Sequence, residues 1–241
     1  MSLQLTPRPT DAPAALPAGS PTTRAVNGLA AVPGALGGAV LGLTFGAAAL
    51  VRRTKPLHPV GQVGTAVLEV TDPLPELGVP LLSERRSHTC LVRWSRAAGL
   101  PAPLPDVEGF AIRFDDPTAD LLFASTGTGP VGRFLLVPRG HRSHGPLTTL
   151  LPVASDAGAL MFRLTPEAGT GAPPTRFTLA VATGTGDWVS VGSLDCVWGP
   201  DRPTRFDPVE HVLPGTAQYP VVRALREPAY FLARRGATPR T

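Results

Sequence analysis

Five histidines, two tyrosines and two cysteines are the side chains of this 241-residue chain best suited to ligate a metal or pass a proton. Taken singly, none of the histidines marks a site. His88 precedes a strand-like run. His141 and His144 lie in a Gly/Pro/Arg-rich connection that reads as solvent-exposed, and His211 follows Glu210 in another loop. No two have the HExxH spacing of a zinc site, and neither the GxSxG elbow nor the P-loop occurs. Thr126-Gly-Thr-Gly and Thr183-Gly-Thr-Gly could cradle a phosphate, but glycine between strand-like runs is first of all a turn residue. Cys90 and Cys196 sit inside apolar runs and read as buried core thiols, not as a disulfide framework or a CxxC metal site. That pattern suits a reducing cytoplasm.

The elements that would position any site follow from punctuation and periodicity. With 29 prolines and 26 glycines, the chain opposes long helices. Strand-like stretches recur at 65–71, 89–94, 110–114, 121–124, 133–137, 160–164, 176–182 and 189–194, separated by Gly, Pro or Asp clusters. This is the pattern of an antiparallel sheet or barrel. Residues 1–24 are rich in Pro, Ala, Ser and Thr, with too little apolar surface to offset ordering entropy, and are expected to be disordered. Residues 25–54 carry an uncharged Gly/Ala-rich run over 25–51 that ends in Arg52-Arg53-Thr54-Lys55. This segment reads as a helix packed on the domain or on a second subunit, or else as a membrane anchor. The stretch 219–235 reads as a short amphipathic helix. A net charge of +4, scattered along the chain, is too small to argue for nucleic acid. The arginines could instead serve the propionates or phosphates of a buried acidic cofactor.

Order and spacing add what single residues do not. Lys55-Pro-Leu-His58-Pro-Val-Gly61 is followed by Leu68-Glu69-Val70-Thr71, then by Leu91-Val92-Arg93-Trp94-Ser95-Arg96-Ala97-Ala98-Gly99. Next come Asp106-Val107-Glu108-Gly109-Phe110-Ala111-Ile112-Arg113-Phe114, Asp120-Leu121-Leu122, Phe206-Asp207-Pro208, Pro214-Gly215 and Arg226-Glu227-Pro228-Ala229-Tyr230. In this order they resemble the catalase-like superfamily. The resemblance implies an α+β chain: an antiparallel β-barrel over 55–241, with flanking N-terminal and C-terminal helices. It implies heme b, with His58 on the distal side and Tyr230 as the axial iron ligand. A tyrosinate is a hard anionic ligand suited to ferric heme, and Arg226, one helical turn earlier, would keep the phenol ionised. His58 would relay a proton between the two oxygens of a peroxide, and Ser95 would orient it. Lys55, Arg93 and one of Arg234 or Arg235 would hold the propionates.

The departures from the family pattern bear on activity. Ser125 stands near the family's distal asparagine, Lys55 replaces an arginine, and Glu108 replaces another. A chain this short also implies a more open heme pocket. These features favour a heme-dependent peroxidase, using a peroxide or organic hydroperoxide and a reductant, over fast peroxide dismutation. A heme-binding module without turnover, and a heme-free barrel acting as a binding or structural protein, are the alternatives. Homo-oligomerisation and membrane association through 25–51 go with them, in an otherwise cytoplasmic protein.

Overall fold

The computed structural model describes residues 60–101, 103–140, 142–168, 173–220 and 222. Ten strands follow in chain order: β1 Val60–Val70, β2 Arg86–Arg96, β3 Glu108–Asp115, β4 Thr118–Ser125 and β5 Leu147–Thr148. Then come β6 Val153–Ser155, β7 Gly158–Pro166, β8 Arg176–Thr183, β9 Val189–Trp198 and β10 Thr216–Ala217. They are hydrogen-bonded in the order β10-β6-β7-β5-β4-β3-β2-β1-β9-β8, and β8 pairs back to β7. Eight strands, from β7 round to β8, therefore close into an antiparallel barrel, and β6 and β10 extend from β7 as a small flap. The expected barrel is present.

Alternation decides which residues fill the lumen. Along β1, Gly64, Ala66, Leu68 and Val70 are buried while Thr65, Val67 and Glu69 are exposed, because successive side chains point to opposite faces. The registers carry this row around the barrel: Ala66 lies beside both Cys90 and Cys196, and Val92 faces Ile112, which faces Leu121. Phe110, Phe162, Phe177 and Leu194 complete one continuous core. Each such side chain contributes about 1.5–3 kcal/mol by leaving water. Gly64 is needed for space, since a Cβ there would overlap the Val197 carbonyl and touch the Trp198 ring. Trp198 in turn meets Phe110 edge to face, with centroids 5.7 Å apart.

The two barrel ends are closed differently. Beyond β1, two 3-10 turns, Pro75–Leu77 and Pro80–Leu82, carry Leu77, Leu81 and Leu82 into the core, with Val79 between them and Leu213 alongside. At the other end the inward row is polar: Arg96, Glu108 and Ser125.

Some expectations are corrected. Residues 133–137 are not a strand: α1, the single helical turn Gly129–Gly132, runs into a turn, and only an isolated bridge joins Leu136 to Thr126. The two glycines and the proline of Gly129-Pro-Val-Gly132 oppose extended pairing, and Arg133 folds back to donate to the Gly129 carbonyl at 3.1 Å. The short strands β5, β6 and β10 are too brief to show a period. The flanking helices, residues 1–24 and the apolar run 25–51 lie outside the described residues, except that Pro220 and Val222 are helical. Among the described residues no helix is long and apolar enough to cross a membrane.

Candidate functional site

The outer wall of β1–β4 is where the motif residues meet. Two rows run across it, each set by strand register: Gly61, Ser95, Gly109 and Ala124, then Val63, Arg93, Ala111 and Leu122. Half of these residues are glycine or alanine, so the wall is flat and backbone-rich. It is also covered, since Val63, Ser95 and Ala111 are buried although they point away from the lumen. A Cβ at Gly61 would overlap the Trp94 carbonyl and crowd the Arg93 guanidinium, so this part of the wall has room only for glycine.

Arg93 and Ser95 are thus brought to one face, two residues apart on β2. The Ser95 hydroxyl lies 3.4 Å from the Gly109 carbonyl, to which it donates. The Arg93 guanidinium makes a two-pronged pair with Asp201, at 3.2 Å from Nε and 3.1 Å from Nη2. Asp201 was not among the sequence candidates, because its position just after β9 is fixed only by barrel closure.

Ser125 is placed on the opposite face. Its side chain follows Leu121 and Phe123 into the lumen, where the hydroxyl donates to the Val137 carbonyl at 2.8 Å and accepts from the Glu108 amide at 3.0 Å. The outward place opposite Gly109 belongs to Ala124. Period-two alternation over 121–125 carries this signal. Lys55, His58, Arg226, Tyr230, Arg234 and Arg235 lie outside the described residues.

Below the small-residue rows, Arg113 and Asp120 face each other across the β3–β4 hairpin. Arg113 binds both oxygens of Asp120, at 2.7 and 2.6 Å, which raises its already high pKa. The same carboxylate accepts the Asp207 amide at 2.5 Å and lies 3.1 Å from His211 Nδ1. Arg113 also rests 5.3 Å from the centre of the Phe206 ring. This knot pins the Phe206-Asp207-Pro208 stretch against the wall. The pairing is readable in the hairpin, since Arg113 and Asp120 are symmetric about the 116–117 turn.

His144 is not exposed as expected: its side chain is 13% exposed, and Nδ1 lies 2.7 Å from the Glu108 carboxylate. His88 points inward from β2, beside Leu68, and meets Phe114 edge to face at 6.3 Å. Burial lowers its pKa, with Arg86 adding to the effect. Both thiols are free and buried. Burial pushes Cys90 up to about 12, and Cys196 is also raised, so neither is a nucleophile at neutral pH. Among the described residues there is no group of three or more His, Cys, Asp or Glu able to hold a metal ion.

No family model matches the chain, and no curated protein matches it. Among solved structures it is similar to a fungal catalase, with a TM-score of 0.52 and 14% identity, over 74% of this chain and 59% of that one. It is likewise similar to a bacterial catalase, with a TM-score of 0.52 and 13% identity, over 79% of this chain and 59% of that one. The barrel therefore has the catalase-like fold, and the match spans about three-fifths of the length of those catalases.

Proposed function

We propose that the outer wall of β1–β4 is the distal face of a heme b site, and that the chain is a heme-dependent peroxidase with little or no catalase turnover. The observation that carries this reading is the pair of outward rows, half of them glycine or alanine, with Arg93 and Ser95 on the same face. Such a surface fits a planar macrocycle. Arg93, already balanced by Asp201, fits a propionate that shares or displaces that carboxylate.

When bound, heme b would supply a ferric iron able to promote cleavage of a peroxide O–O bond. His58 stands three residues before Gly61, a span of at most about 10 Å of chain, and Gly61 is the register partner of Ser95. His58 would take a proton from one peroxide oxygen and return it to the other, and the Ser95 hydroxyl would orient the ring. Tyr230 would ligate the iron, Arg226 would keep its phenol deprotonated, and Lys55 with Arg234 or Arg235 would share the propionates.

One observation favours a second reading, a heme-binding module without turnover. The wall carries Ala124 opposite Gly109, and the Ser125 hydroxyl is committed inside the lumen. No polar side chain from this stretch of β4 is therefore available to position peroxide.

Hemin reconstitution of wild type and Tyr230→Phe, followed by desalting and absorbance spectroscopy, tests the site. A stoichiometric Soret band that shifts or is lost in the variant is the expected result. A wild type that retains no hemin rejects both readings. Retained hemin without hydroperoxide-dependent oxidation of a dye selects the second.

A further inference from the structure

The apolar end of the barrel is not fully plugged. A cavity of about 70 Å³ lies between the Pro80–Leu82 turn, the start of β2, the β3–β4 hairpin and the stretch at Leu213. Leu81, Phe114 and Leu213, all buried in the core, form part of its wall, and Pro80, Pro117 and Pro214 complete the apolar lining. Proline has a fixed φ, so these walls resist collapse. The stretch at Leu213 is held as firmly. The Leu213 carbonyl accepts from the Thr216 amide and hydroxyl, at 3.0 and 2.7 Å. Gly215, at φ 77°, packs on the Gly78 carbonyl and on Pro80 with no room for a Cβ. A cavity that stands open before binding costs less ordering than one that must form around its ligand.

Two exposed side chains of opposite charge line the same cavity, Arg86 from the start of β2 and Asp116 from the β3–β4 turn. They do not pair with each other. Arg86 lies 3.6 Å from Glu84, and a solvated contact of that kind holds it only weakly. Asp116 has no hydrogen bond or ion pair among the described residues. The cavity therefore opens between a cation and an anion that are both available. His88, the remaining polar group of the wall, is held toward its neutral form by burial and adds no third charge. Size limits what can enter. The volume is roughly half of the about 150 Å³ that admits benzene, which leaves room for a branched group of about three or four carbons and none for an aromatic ring.

We propose that this cavity binds a small aliphatic amino acid of valine's size. Its side chain lies among the proline and leucine walls, its ammonium on Asp116 and its carboxylate on Arg86. A ligand with a single charge would complement one of the two residues and leave the other facing solvent. A zwitterion complements both, and it enters a site whose own charges already cancel. Burial of the aliphatic group and two charge-assisted contacts at a wet mouth support a Kd of about 1 mM.

The test is a ligand-observed NMR titration of the full chain with L-valine at neutral pH and constant ionic strength. Glycine, isobutylamine and isovalerate are titrated beside it, since each lacks one part of valine: the side chain, the carboxylate or the ammonium. Saturable binding of one valine per chain is expected, with each of the other three weaker by about threefold to tenfold. Asp116→Asn and Arg86→Gln change exposed side chains and should keep the wild-type circular dichroism. Each should weaken valine by about the same factor, while Asp116→Asn spares isovalerate and Arg86→Gln spares isobutylamine. No saturable binding of valine to wild type overturns the proposal. So does valine binding that is unchanged in both variants, or isobutylamine or isovalerate binding as tightly as valine.

Discussion

The two ends of the barrel solve the same problem with opposite chemistry. At the His88 end, two proline-led 3-10 turns insert Leu77, Leu81 and Leu82, and the one ionisable ring is held toward its neutral form. At the Trp94 end, Arg96, Asp106, Glu108 and Arg139 close the lumen with charges bonded to carbonyls and to one another. An apolar plug is tolerant, because its parts are interchangeable by volume. A charged plug is intolerant, because removing one member strands its partners.

Four experiments sharpen that contrast. The largest effect is expected from Glu108→Ala, which strips the buried His144 ring of its carboxylate partner. A loss of about 3–5 kcal/mol in urea unfolding is the expected outcome. Leu82→Ala at the other end leaves a cavity in place of a fully buried side chain and should cost about 2–4 kcal/mol. The double replacement Glu108→Leu/His144→Phe removes both members of the pair at once and should fall within about 1 kcal/mol of wild type. If it is as damaging as Glu108→Ala, the two plugs do not differ in the way argued here.

The fourth effect is smaller and depends on pH. The pKa of His88 is lower in the folded chain than its ordinary 6.5, so below that value the unfolded chain binds more protons. Stability therefore falls as pH drops through the ordinary histidine range, and His88→Phe should flatten that part of the urea midpoint–pH profile. An unchanged slope would mean that the ring is not held neutral by burial.

The barrel was legible in the sequence because alternation and turn residues are local signals. Seven of the eight strand-like stretches fall on β1–β4 and β7–β9. The stretch 133–137 misled because Phe134, Leu135 and Leu136 look extended, while the glycines and proline before them dictate a turn. The charged plug was not legible. His144 and Glu108 are 36 residues apart, and a Gly/Pro/Arg-rich connection gives no local sign that it folds into a barrel mouth. The site residues divide in the same way. The Ser95/Arg93 face follows from β2 alternation, and the inward turn of Ser125, which a family motif alone does not register, follows from β4 alternation.

The strict alternation of β2–β4 has a further consequence. Trp94 and Ser95, Glu108 and Gly109, and Ala124 and Ser125 are chain neighbours that serve different compartments, the lumen plug and the outer wall. Point substitutions can therefore tune either compartment without touching the other. A single inserted residue within one of these strands does the reverse. Everything beyond it exchanges compartments, and both are lost together. This stretch of the gene should accordingly accept many changes of letter and almost no change of length.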